Sequence, residues 1–145
     1  MKRFHFSLAR VRRWRSEQAN LEELKLQQLR AELARLAGAK SEIEAEGARS
    51  AREVLAQQSI DPFELTSLES YRQHLRRRVY ELDNLERQCN AKVAEQRQRV
   101  LEARRQFELL DRLHNKAWQE WLAEGNKEQE QLAAELFLAK SVRER

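Results

Sequence analysis

Three histidines, one cysteine and three glycines are the residues from which this sequence could build a catalytic or ligand site, and their spacing argues against each possibility. His5, His74 and His114 stand far apart and share no metal-ligand spacing with Cys89 or with a His-Glu-x-x-His pattern, so no metal site is expected. Gly38, Gly47 and Gly125 stand singly, which gives neither a phosphate-cradling loop nor a dinucleotide turn. Carboxylates are plentiful, but tuning one as a general acid or base requires a concave site that removes it from water. Neither a cofactor nor an enzymatic activity is therefore expected, and contact with other proteins is left as the mode of action.

The side chains suited to contact are aromatics and arginines. Phe4, Phe6 and Trp14 lie near one end of the sequence, and Phe107, Trp118 and Trp121 lie far along it. Arg10, Arg12, Arg13 and Arg15 accompany the first group, and Arg104, Arg105 and Arg112 the second. Whether the two groups meet depends on the elements that carry them.

Those elements are helices. Of 145 residues 36% are charged, with three Gly and one Pro, and this composition suits long exposed helices with a narrow apolar stripe better than a thick core. From about residue 7 to 57 nothing breaks a helix except Gly38 and Gly47. Apolar, small or single polar residues recur in threes and fours at Leu26, Leu29, Leu33, Leu36, Lys40, Ile43, Gly47, Ser50 and Val54. A turn is expected at about 58–62, with Asp61 as cap and Pro62 at the first helical position. A second helix, about 63–142, has its seam at Leu68, Arg72, Leu75, Val79, Leu82, Glu86, Cys89, Val93, Gln96, Val100, Ala103, Phe107, Leu110, His114, Ala117 and Trp121. Gly125-Asn126 is a place where this helix could end or weaken.

So short a turn makes the helices antiparallel neighbours, each covering the other's stripe. The expectation is an all-α, two-helix antiparallel coiled-coil hairpin forming a single domain, whose second helix overhangs the first beyond about His114. Facing residues then have numbers summing to about 119 or 120, which sets Glu42, Glu44 and Glu46 across from Arg76, Arg77 and Arg78, and Glu22 and Glu23 across from Arg97 and Arg99. It also brings the two aromatic and basic groups to one end.

The net charge of +4 favours acidic partners without choosing among them. Cys89 falls on the seam, where a buried thiol is expected, and a lone cysteine suits a reducing compartment. No apolar run near the start suits a signal peptide, and Leu136-Phe137-Leu138-Ala139 falls far short of the roughly 20 residues of a membrane span. A cytoplasmic chain that does not span a membrane is expected.

The opening Phe4-His5-Phe6-Ser7-Leu8-Ala9-Arg10-Val11-Arg12-Arg13-Trp14-Arg15 resembles the F-x-F-x-L-x-x-V-x-x-x-R start of the FliJ family of flagellar type III export proteins. Tyr71-Arg72-Gln73-His74-Leu75 is similar to that family's Y-x-x-x-L segment. Phe107 to Leu113, followed by Glu128-Gln129-Glu130-Gln131-Leu132-Ala133-Ala134-Glu135-Leu136, resembles its C-terminal pattern. Trp14, where the family more often has an aliphatic residue, and Gly125-Asn126 depart from that pattern.

The resemblance implies a cytoplasmic component of the export apparatus, peripheral to the inner membrane at the flagellar base and similar in shape to the coiled-coil stalk of rotary ATPases. It implies that the end carrying both termini enters the export ATPase hexamer and promotes its assembly and activity. By position Arg13, Arg15, Arg105, Arg112, Trp118 and Trp121 would make that contact, and a solvated basic surface is the plainer account of the same residues. The resemblance also implies contact with the export gate membrane protein through Leu75, Val79, Leu82 and Glu86, of which three are apolar seam positions where packing is the plainer account. Export chaperones are further implied partners. The stalk protein of injectisomes would share fold and mechanism, and a nucleic-acid-binding or self-associating coiled coil is an alternative from another class. Nucleic acid is not expected as a partner, because a basic-zipper grip needs a parallel dimer and Pro62 favours a hairpin.

Overall fold

The computed structural model describes residues 2–145. Two long helices pack against each other: α1 runs Ala9–Leu55 and α2 runs Pro62–Arg143, with no strand among the described residues. Asp61 caps α2, its Oδ1 accepting from the Phe63 N–H at 3.1 Å and its carbonyl accepting from Leu65 N–H at 3.2 Å, with Pro62 at the first helical position. α2 passes through Gly125-Asn126 without a break. α1 begins at Ala9 rather than near residue 7, because the Leu8 carbonyl is the first to accept a helical bond, from Arg12 N–H at 2.9 Å.

The chain falls into two compact units, Glu22–Val100 and Met1–Leu21 with Leu101–Arg145. In the unit Glu22–Val100 the helices are antiparallel: Glu22 meets Gln96, Leu29 meets Cys89 and Gly47 meets Leu75, pairs whose numbers sum to about 120. Every seam position of α1 from Leu26 to Val54 is buried or half-buried, and within this unit only Arg72 among the α2 seam positions is exposed. Leu36, Leu82 and Cys89 form the centre, with Leu33, Ala39 and Ile43 packed on them, and the Cys89 thiol lies 3.4 Å from the Leu29 carbonyl. No side chain among the described residues is wholly removed from water, as a two-helix seam requires.

The polar seam positions have partners. Lys40 reaches Asp83 at 2.6 Å and Glu86 at 3.7 Å across the helices. Gln96 is buried, and its amide donates to the Glu22 carbonyl at 3.0 Å and to the Glu22 carboxylate, which holds that carboxyl below its ordinary pKa. These bonds are made only in one register, so polar seam residues fix pairing that leucines alone would leave free to slip. The charges expected to face each other express it less directly. Arg78 and Arg99 pair with Glu81 and Glu95 of their own helix, at 3.2 and 2.8 Å, while Glu46 accepts from the Tyr71 hydroxyl at 2.6 Å. Neighbours one turn away on the same helix are the nearer choice for a long side chain.

The two α1 glycines differ in surroundings. A Cβ on Gly38 would meet nothing within 4 Å, whereas one on Gly47 would lie 3.3 Å from Leu75 Cδ1. Gly38→Ala should therefore stabilise the Glu22–Val100 unit by about 0.5–1 kcal/mol. Gly47→Ala should gain less, because Leu75 must give way; comparing the urea midpoints of the two variants checks this.

In the other unit the helices are again antiparallel, with Arg12 meeting Asp111 and Arg15 meeting Gln106. α2 continues past the start of α1, but the overhang is not bare from His114 onward. Residues 2–8, which lie outside the helix, fold over it as far as Trp121. Every residue from 126 to 140 is exposed. Among the described residues no helix is long and apolar enough to cross a membrane.

Candidate functional site

The candidate site is built on a scaffold of paired seam positions. Continuing the α1 seam back from Leu26 in heptads places Arg12 and Arg15 where apolar residues would normally sit. Both are accommodated by polar partners on α2. Arg12 donates through Nε and Nη2 to Asp111 Oδ1 at 3.1 and 2.6 Å, and its guanidinium lies 5.6 Å from the centre of the Phe107 ring. Arg15 donates to Gln106 Oε1, with its guanidinium 4.6 Å above the Trp14 ring.

Beyond this pair the segment before α1 supplies an aromatic strap. In extended backbone, residues two apart share a face, and Phe4 and Phe6 both turn toward α2. The Phe4 ring meets His114, Trp118 and Trp121 at centroid distances of 5.5, 4.9 and 5.8 Å, and Phe6 meets His114 at 5.2 Å. Those α2 residues recur at four and three, one face of the helix. Trp121 Nε1 donates to the Lys2 carbonyl at 2.8 Å, and Trp118 lies 5.0 Å from Trp121. Phe4 and Phe6 meet their partner rings edge-on, as aromatic quadrupoles favour, whereas the two tryptophans are tilted 31° to each other.

The residues singled out for a ring-shaped partner thus divide. Arg13, Arg105 and Arg112 are exposed, Arg105 and Arg112 two turns apart on one face of α2, and Arg13 lines a shallow hollow with Phe107. Arg15, Trp118 and Trp121 are already engaged inside the unit, although Trp118 keeps 38% of its surface exposed.

No family model, curated protein or solved structure matches this sequence. The arrangement of side chains is therefore the ground for any functional reading.

The second candidate group lies in the Glu22–Val100 unit. Leu75 and Val79 are half-buried and line a shallow hollow of about 420 Å³ with Ile43, Glu44, Gly47, Arg72 and Arg76. Gly47 lies at this hollow, where a Cβ would come within 3.3 Å of Leu75 Cδ1. Leu82, in contrast, is a core residue packed with Leu36 and Cys89, and Glu86 is tied to Lys40. The four residues therefore do not form one outward patch: two border a hollow and two belong to the seam.

Sequence reasoning missed the strap. Its signal was the aromatic-x-aromatic alternation of Phe4 and Phe6, an extended-chain period just before a helical one. It also missed that Val11, Trp14 and Leu21 form an exposed stripe on α1 apart from the seam.

Proposed function

We propose that this chain is a non-catalytic, stalk-like component of a flagellar type III export apparatus that binds and promotes the hexameric export ATPase. The carrying observation is the exposed end of α2. Leu136, Phe137 and Leu138 are 64, 71 and 61% exposed at three consecutive positions, each turned about 100° from the last. A helical turn with apolar side chains on successive faces cannot be covered by a single flat partner, which would leave part of it wet. The lumen of a closed ring surrounds it. The exposed Arg13, Arg105 and Arg112 supply charge for an acidic rim, and Trp118 an aromatic anchor.

The same reading takes Leu75 and Val79 at their hollow as the contact for the export gate protein, with Leu82 and Glu86 acting through the packing beneath it. Export chaperones belong to the reading through the family resemblance alone, as does a cytoplasmic position at the flagellar base. An injectisome stalk would act through the same surfaces. Nucleic-acid binding has less to support it, because Arg12 and Arg15 are held by Asp111 and Gln106.

The test is ATP hydrolysis and ring formation by a purified flagellar export ATPase as the chain is titrated in. A saturable rise in both is expected. L136D/F137D should abolish it, and R13A/R105A/R112A should raise the concentration needed by about tenfold, for three pairs near 0.5 kcal/mol each. No response to a chain verified as helical would overturn the reading.

A further inference from the structure

We propose that the stripe Val11, Trp14 and Leu21 of α1, together with Leu109 and Leu113 of α2, docks the acidic stretch 124–137 of α2 from a second copy of this chain. The residues belong to one unit, Met1–Leu21 with Leu101–Arg145. Val11, Trp14 and Leu21 are 42, 49 and 44% exposed and, with Gln18, recur in steps of three, four and three, so they form one line along α1. Leu109 and Leu113, 53 and 50% exposed, extend the line of Gln106 along α2 in the same way. Arg15 joins the two lines, stacked on Trp14 and bonded to Gln106. The result is a two-helix face off the seam, shaped to take a third helix.

Charge selects the occupant. Ala9–Leu21 carries Arg10, Arg12, Arg13 and Arg15 against Glu17, a net +3. The stretch 124–135 of α2 carries Glu124, Glu128, Glu130 and Glu135 against Lys127, a net −3. It also presents Leu132, Leu136 and Phe137, 58, 64 and 71% exposed, with Leu132 and Leu136 one turn apart and glutamates on both flanks. A chain cannot make this contact with itself. Leu109 and Leu132 lie on one uninterrupted helix, about 35 Å apart at 1.5 Å per residue. A second copy supplies the acidic helix at the stoichiometry of the chain itself.

The contact is heterologous, face to tail, so each bound copy offers a free face and a free tail and association continues past the dimer. About four turns of helix on two stripes place it at the small, transient end of interfaces, below about 1,200 Å². The inference does not rest on the export reading. If both hold, a ring that takes the tail competes with self-association.

Sedimentation velocity of the full chain at rising concentration and low salt, with circular dichroism as the folding control, tests it. The unaltered chain should form a reversible series that salt weakens. R10E/R13E spoils the face and E128K/E130K spoils the tail, and each alone should weaken association about tenfold or more. Mixed in equal amounts they should associate again, because one supplies an intact tail and the other an intact face, and the two altered surfaces are themselves opposite in charge. A monomer at every concentration would overturn the proposal. So would association that survives R10E/R13E, which is the mark of tail-to-tail pairing, or a mixture that stays monomeric. No ATPase is present, so failure here leaves the export reading untouched.

Discussion

Leu82→Ala should destabilise the Glu22–Val100 unit by about 3 kcal/mol and Leu75→Ala by about 1 kcal/mol, although both lie on the same seam of α2. Leu82 is 5% exposed and packs with Leu36 and Cys89, so truncation leaves a cavity between two helices that each meet only the other. Leu75 is half-buried beside Gly47, next to a hollow already open to water, where truncation loses contacts but encloses no void. Urea titration followed by helicity, with amide exchange to localise the loss, measures the difference. Equal costs would mean that Leu75 is a core residue like Leu82, and would remove the physical ground for a partner contact at that hollow. Unequal costs would leave Leu75 and Val79 able to change partner without unfolding the unit.

The seam was legible because its period is. Alternating steps of three and four picked out positions that, in the Glu22–Val100 unit, are covered at every α1 site, including polar ones such as Lys40 and Ser50. Asp61-Pro62 marked the turn because a cap and a fixed φ act locally and need no tertiary information. Arg72 falls on the seam by its spacing, but it is exposed and lines the hollow beside Gly47.

What lay beyond the period was harder to read. Periodicity states which residues share a face but not what covers the face, so the second helix seemed bare after His114 while residues 2–8 covered it to Trp121. Charge was legible only in part. Facing positions were placed correctly to within a few residues, but a flexible arginine has several carboxylates in reach, and Arg78 and Arg99 took the ones on their own helix. Of the candidate contact residues, Arg13, Arg105 and Arg112 are exposed. Trp118 and Trp121 were taken up by the strap, a contact between residues more than 110 positions apart.

Phe4→Ala should release the strap. Phe4 touches three rings at once and is the central member of the cluster, whereas Phe6 touches only His114 among the rings. Losing most of a partly buried phenylalanine and its edge-on ring contacts should cost about 2 kcal/mol. That is enough to change the population of the covered state by roughly thirtyfold. The strap has little else to hold it: the bond from Trp121 Nε1 to the Lys2 carbonyl and that from Ala9 N–H to the Phe6 carbonyl both depend on the segment staying in place. Exchange of the Trp121 indole proton, read by nuclear magnetic resonance, should accelerate by more than tenfold. His5→Ala, at an exposed position, should leave the rate unchanged. Unchanged exchange in Phe4→Ala would mean that the hydrogen bond to Lys2 survives without the ring, and the strap would not be a unit. Accelerated exchange with intact helicity would show that Trp118 and Trp121 can be uncovered without unfolding α2. A partner that binds those tryptophans then has to displace Phe4 first, and Phe4→Ala should bind it more tightly than the unaltered chain does.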